Sequence, residues 1–296
     1  MSSTTQLPPT LGGQAVVEGV MIRGPRGAAV CVRNPDGEII CETHPVQSAS
    51  GLSRFPIVRG VVALGDTMGQ GMRAMIWSAQ VAAGQEPEQP SDSSVRATTA
   101  LSLGFVSAFF LLVPALASRR LERRVEGRLS GGGRFSGLLE GLARIGMLVG
   151  YLRAIGRVPQ AQRLFQYHGA EHRAIQAYEA GDALEVEELH KYPNAHVRCG
   201  TSFLLTTSVI SSVVYAAIGA QSLRGRMLSR IVLMPVIAGL SYEAIRLGNA
   251  ASGGPFSLIF RPNMALQSLT TSDPDEAQME VALAAVKAAL ALHQDA

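Results

Sequence analysis

His168 and His172 stand four residues apart with Glu171 between them, and His196 and Cys199 follow downstream, three apart. On a helix, a spacing of four sets both imidazoles on one face about one turn from each other, so both can reach one cation. The chain has six histidines and three cysteines, and four of these nine residues fall in the two short stretches. Imidazole nitrogen and thiolate sulfur are donors that zinc takes, so the expected cofactor is a divalent metal, zinc by preference. Glu171 is placed to take a proton from a water that such a metal activates.

The number of ligands decides what the metal is for. His168, His172, His196 and Cys199 together close a tetrahedron, and a closed site is structural; three ligands with an open position make a catalytic one. Glu179 competes for the third place, seven residues beyond His172 and so on the same helical face. Glu243, from an apolar segment, is another contender. The order H-x-x-E-H is that of the inverzincins, a likeness of five residues that carries no peptidase assignment. His44, His190 and His293 read as solvated side chains. Glu18 and Arg23 lie in an apolar N-terminal run, where solvated positions on an open face and a role in the site both fit.

The elements that must position these groups follow from periodicity and punctuation. A helix over 160–180, stopped by Gly181, carries the histidine pair within a metal segment, 160–200. Residues 1–10 read as a disordered lead, with no cleavable signal peptide expected. Residues 11–55 form a β-hairpin region: a strand over 15–23, then strands over 28–33 and 38–43 around Asn34-Pro35-Asp36-Gly37, which is strong turn chemistry. Residues 56–84 make an apolar helix, interfacial or spanning, that carries Asp66 and Arg73.

The uncharged run 97–118 is long enough to cross a bilayer. Arg119, Arg120, Arg123, Arg124 and Arg128 follow it, which the positive-inside rule places in the cytoplasm. Residues 138–158, interrupted by Glu140, Arg144 and Arg153, read as an amphipathic interfacial helix. Residues 201–220 and 231–249 form a transmembrane hairpin. A cytoplasmic tail, 251–296, carries a helix over 274–292 opened by Pro274 and acids. Four crossings then leave both termini and the metal segment in the cytoplasm. Arg224, Arg226 and Arg230 fall on the outer side in that arrangement, against the same rule.

Composition agrees with an apolar helical protein. Of 296 residues 47% are hydrophobic and only 17% charged, below the roughly 25% of soluble domains. The net charge, 26 minus 23 or +3, is too small to argue for nucleic acid. Cys31, Cys41 and Cys199 are odd in number without C-x-x-C spacing, so a disulfide framework is not expected and a reducing, cytosolic face is.

Several stretches taken together resemble the YqhQ-like family of bacterial membrane proteins, a family of unknown function described as metal-dependent enzymes. They are Gly12-Gly13-Gln14-Ala15-Val16-Val17-Glu18-Gly19-Val20-Met21-Ile22-Arg23-Gly24-Pro25, Val58-Arg59-Gly60-Val61 and Gln166-Tyr167-His168-Gly169-Ala170-Glu171-His172. Arg198-Cys199-Gly200-Thr201-Ser202-Phe203, Ser241-Tyr242-Glu243 and Leu269-Thr270-Thr271 complete them. Relatives carry His-Pro-Arg-Cys where this chain has Val197 in second place; His196 and Cys199 are kept. The resemblance implies an integral membrane protein, supports a metal at the histidine-rich segment and implies no substrate.

The fold expected is mainly α: a polytopic helical protein of the inner (plasma) membrane, with a small N-terminal β-hairpin region and a cytoplasmic metal segment. The function expected is metal-dependent hydrolysis at the membrane's cytoplasmic face, on membrane lipid, lipid-linked or peptide substrates, with Glu171 activating water. The rivals are a non-enzymatic scaffold or assembly factor with a structural zinc, and a transporter built on Asp66, Arg73, Glu243 and Arg246.

Overall fold

Side chains alternate across the N-terminal strands and give the sheet two apolar faces. In the computed structural model, which describes residues 9–45, 54–113, 116, 132–196, 199–219, 222–250 and 257–294, four strands form an antiparallel meander. They are β1 (Gly12–Val16), β2 (Gly19–Arg23), β3 (Gly27–Arg33) and β4 (Ile39–Pro45). Val16, Met21, Val30 and Val32 fill one face; Val20, Ile22, Ala29 and Cys31 fill the other.

The single strand expected over 15–23 is two strands, because the chain turns back at Val17-Glu18. Glu18 takes a left-handed backbone (φ 51), its carbonyl accepts from Arg33 N (2.9 Å), and Val17 N donates to Ser78 Oγ (3.2 Å). Gly19 then passes under the Cys31 carbonyl, where a side chain has no room. A run of β-branched residues hides this turn in the sequence. The β3–β4 hairpin follows expectation, with Gly37 left-handed (φ 88) and Asn34 Oδ1 accepting from Glu38 N. Its register sets Cys31 opposite Cys41, and the two form a disulfide. That corrects the expectation of unpaired thiols: strand register, not a cysteine motif, brings them together.

The helices are α1 (Val58–Ala82), α2 (Asp92–Ser107), α3 (Gly132–Ile155), α4 (Pro159–Ala180), α5 (Val186–Leu189), α6 (Thr201–Ile218), α7 (Leu223–Ala250), α8 (Ser257–Gln267) and α9 (Glu276–Gln294). One sheet face is covered by α1 through Ala74, Trp77 and Val81. The other is covered by α4 (Tyr167, Ala170, Ala174) and α9 (Met279, Ala282, Val286). The start of α9 is fixed by a reciprocal box in which Gln278 N donates to Asp275 Oδ1 and Asp275 N to Gln278 Oε1.

Beyond the sheet, α3 packs on α6 and α6 on α7, α1 packs on both α2 and α7, and the end of α2 meets α7 where Ser107 Oγ approaches Met234 Sδ (3.8 Å). After Ser107, α2 continues through a π-helical turn, Ala108–Leu112. Of the apolar run expected over 97–118, residues 114, 115, 117 and 118 lie outside the described residues. α7 begins at Leu223 rather than at 231. Of the three charges in 138–158, Arg153 is exposed, but Glu140 (1% exposed) and Arg144 (5%) point inward. Arg144 donates to Glu140 Oε1 (2.8 Å) and Ser211 Oγ (2.8 Å), and Arg230 donates to Glu140 Oε2 (2.6 Å). Leu101, Phe105, Leu142, Val213, Leu228 and Ile231 are exposed on the outside of these helices. Two helical stretches, Thr201–Ile218 and Arg224–Leu247, are long and apolar enough to cross a membrane, with mean hydropathies of 1.6 and 1.4.

Candidate metal centre

The site forms where α4 passes between the sheet and the ends of α6 and α8. Left-handed Gly181 ends α4 as the sequence predicts, and Pro159 opens it one residue before the expected start. His168 and His172 are one turn apart on it, their ring centroids 4.4 Å from each other. Cys199 arrives from the segment just before α6. One ligand atom from each of His168, His172 and Cys199 lies within 4.8 Å of the other two.

Each histidine is oriented through its far nitrogen. His168 Nδ1 donates to the Thr270 carbonyl (2.8 Å) and His172 Nδ1 to the Asn194 carbonyl (2.5 Å). A carbonyl accepts only, so each Nδ1 carries the proton and each Nε2 presents a lone pair. Histidines that hold metals are generally fixed this way. His168 Nε2 is 3.3 Å from Cys199 Sγ. Thr201 donates to that sulfur through its hydroxyl (3.2 Å) and its backbone N–H (3.4 Å). Two imidazole nitrogens and one sulfur converging on a point suit zinc or a similar divalent ion.

Glu171 completes the cluster. Its Oε2 lies 3.6 Å from His172 Nε2 and 3.9 Å from His168 Nε2, and the residue is 3% exposed. The carboxylate fits because β1 offers Gly13 there: a Cβ at Gly13 would stand 2.6 Å from Glu171 Cδ. Burial pushes the Glu171 carboxyl up to about 8, with Cys199 adding to the rise and His168 opposing it. Burial likewise drives His172 down to about 3 and raises the Cys199 thiol. A bound cation would act against all but the histidine shift, since it favours carboxylate and thiolate.

The remaining sequence candidates separate from this cluster. His196 lies close by, its ring 5.6 Å from that of His172, yet its Nε2 faces Glu179 Oε2 (3.3 Å). Glu18 pairs with Arg163 on α4 and accepts from the Tyr167 hydroxyl. Arg23 pairs with Asp66 (2.6 Å) and Glu243 with Arg59 (2.6 Å), both away from the histidines. Val197 and Arg198 lie outside the described residues.

Other contributors carry no ligand signature. The Gln267 side chain pairs with both backbone groups of His196, accepting from its N–H and donating to its carbonyl (2.9 Å each). Asn194 Oδ1 accepts from Arg173, and Asn194 Nδ2 donates to Asp273. Gly169 lets the Ser272 carbonyl approach α4, where an added Cβ would clash with it and would meet Asn194 Oδ1 next, at 3.2 Å. Gly13, Gly169 and Thr270 sit in the resembling stretches, which was the available signal.

The family model for "Protein of unknown function (DUF1385)" matches residues 55–292, which include all four residues of the cluster. The chain is also similar to "Uncharacterized protein YqhQ" of Bacillus subtilis (strain 168), 32% identical over 298 residues, which cover 95% of this chain and 92% of that protein. No solved structure matches. With most of its length matched by the family model and by that relative, the chain belongs to the DUF1385, YqhQ-like family.

Proposed function

We propose that the protein is a metal-dependent hydrolase embedded in a membrane, with its site at the membrane surface. The observation that carries the reading is the convergence of His168, His172 and Cys199 on one point bordered by a buried carboxylate. These three residues hold the cation, and three protein ligands leave a position open for chemistry. The metal supplies Lewis acidity, which acidifies a water and polarises an ester or amide carbonyl. Glu171 takes the proton of the attacking water. A carboxylate beside the metal can take that proton and later pass it to a leaving group.

Membrane embedding is supported by an inside-out bundle. Glu140, Arg144, Arg230 and Ser211 are buried and bonded to one another while large apolar side chains face outward. Water would favour the reverse, and hydrocarbon favours this. Thr201, the first residue of α6, lies two residues beyond Cys199, which supports a site near the depth of the lipid headgroups. Membrane lipid, lipid-linked and short peptide substrates all suit that location. The charges a transporter would use are paired separately, Asp66 with Arg23, Arg73 with Asp92 and Glu243 with Arg59.

The test is the composition of the metal shell in purified full-length protein. One divalent ion per chain is expected, with X-ray absorption giving two nitrogen and one sulfur donors plus oxygen. His172→Ala should lose the ion, His196→Ala should keep it, and Glu171→Gln should keep it while turnover disappears. Four protein ligands that include His196, with folding lost on chelation, would instead establish the structural-zinc scaffold.

A further inference from the structure

We infer that the sheet and the metal centre lie on the extracytoplasmic side of the membrane. This rests on the membrane embedding proposed above and reverses the side expected from the sequence.

The bundle has two dissimilar ends. The metal centre lies at one, where α6 begins at Thr201. The polar layer of Glu140, Arg144, Arg230 and Ser211 lies toward the other. Ser211 is ten residues along α6 from Thr201, about 15 Å at ~1.5 Å per residue. α2 reaches the same layer near its end, where the Phe110 carbonyl accepts from Arg144 (3.3 Å). The end of α2, the start of α3, the end of α6 and the start of α7 therefore all lie at the end away from the metal. The sequences joining them, α2–α3 and α6–α7, are basic. The first carries five arginines over 119–128 against Glu122 and Glu126; the second carries no acid and leads to the exposed Arg224, while Arg226 and Arg230 in the first turns of α7 are buried beside Glu140. Arginine in short connections beside spanning helices is retained in the cytoplasm.

The fold also removes the conflict that the sequence left. α1 covers the sheet with its later turns and packs its first turns, at Arg59 and Gly60, against Glu243 and Tyr242 of α7, and α3 packs on α6. Crossings by α2, α3, α6 and α7 put both basic connections on one side and the sheet on the other. The second argument is independent of charge. Cys31 and Cys41 are bonded within the sheet whose β1 touches Glu171. Disulfides persist in oxidising compartments and are rare in the cytosol. The site would then draw its substrate from the outer leaflet or the space beyond it, which excludes cytosolic soluble molecules.

The test uses full-length chains carrying Glu187→Cys, an exposed position beside the metal domain, or Ser222→Cys, an exposed position in the α6–α7 connection. Spheroplasts are treated with a membrane-impermeant maleimide, and membranes are then washed with alkaline carbonate. We expect the Glu187→Cys chain to label in intact spheroplasts and the Ser222→Cys chain only after lysis. Thiols of Cys31 and Cys41 should react only after reduction. Protein retained in the washed membranes with the opposite labelling pattern, or with both positions labelled alike, overturns the orientation and leaves the membrane embedding standing. Protein released by the wash overturns both.

Discussion

Gly13 has no side chain, and Glu171 occupies the space one would fill. Gly13→Ala puts a Cβ 2.6 Å from Glu171 Cδ, so either β1 or the carboxylate must move. The expected result is a stability loss of about 1–3 kcal/mol with metal retained and turnover reduced, read by denaturant melts and metal analysis. The buried acid also sets a pH dependence. Glu171 ionises near 4.5 when unfolded and at about 8 when folded without metal. Its contribution to stability is therefore full below pH 4.5 and falls as pH rises towards 8. His172, depressed to about 3, contributes fully above its unfolded value of 6.5 and loses stability only as pH falls below that. Between pH 6.5 and about 8 the acid alone matters, and metal-free protein should lose roughly 2 kcal/mol, at ~1.4 kcal/mol per unit. A bound cation should flatten that slope, and metal uptake near pH 7 should release protons from Glu171 and Cys199, measurable by calorimetry in buffers of different ionisation enthalpy.

At the scale of elements, the site depends on how the segment before α6 is held. Gln267 of α8 pairs with both backbone groups of His196 in a buried setting. Gln267→Ala leaves those groups unsatisfied, and about 1–3 kcal/mol of stability should be lost, with weaker metal binding read by competition against a chelator. The same contact explains which parts of the site were legible. The shared face of His168 and His172 followed from helical period, and Gly181 marks the end of α4 in the sequence itself. His196 and Cys199 share a segment but part company, because Gln267 holds the His196 backbone and the ring faces Glu179. The acceptors for the two Nδ1 atoms are backbone carbonyls, which any residue type supplies, so Thr270 and Asn194 could not be found by composition. The Val17-Glu18 turn was hidden for a related reason: its left-handed residue is a glutamate held by tertiary hydrogen bonds, without the usual glycine or asparagine.

The whole molecule joins a sheet domain to an inside-out helical bundle, and the bundle's integrity rests on a few buried charges. Glu140→Ala leaves Arg144 and Arg230 without their shared carboxylate, a change that should cost about 3–5 kcal/mol; thermal unfolding in detergent micelles checks it. Protein and membrane should co-sediment after high-salt and alkaline washes, since neither treatment removes spanning helices. The hydrogen bond from His168 to the Thr270 carbonyl closes across 102 residues of chain. During synthesis at ~5–20 residues per second, the carbonyl that fixes His168 emerges roughly 5–20 s after the histidine itself. The cluster is therefore finished after the chain segments that build α6 and α7 have been made. On the proposed function, metal loading would come late, and an occupied site would mark a chain whose segments through Thr270 have been made and docked.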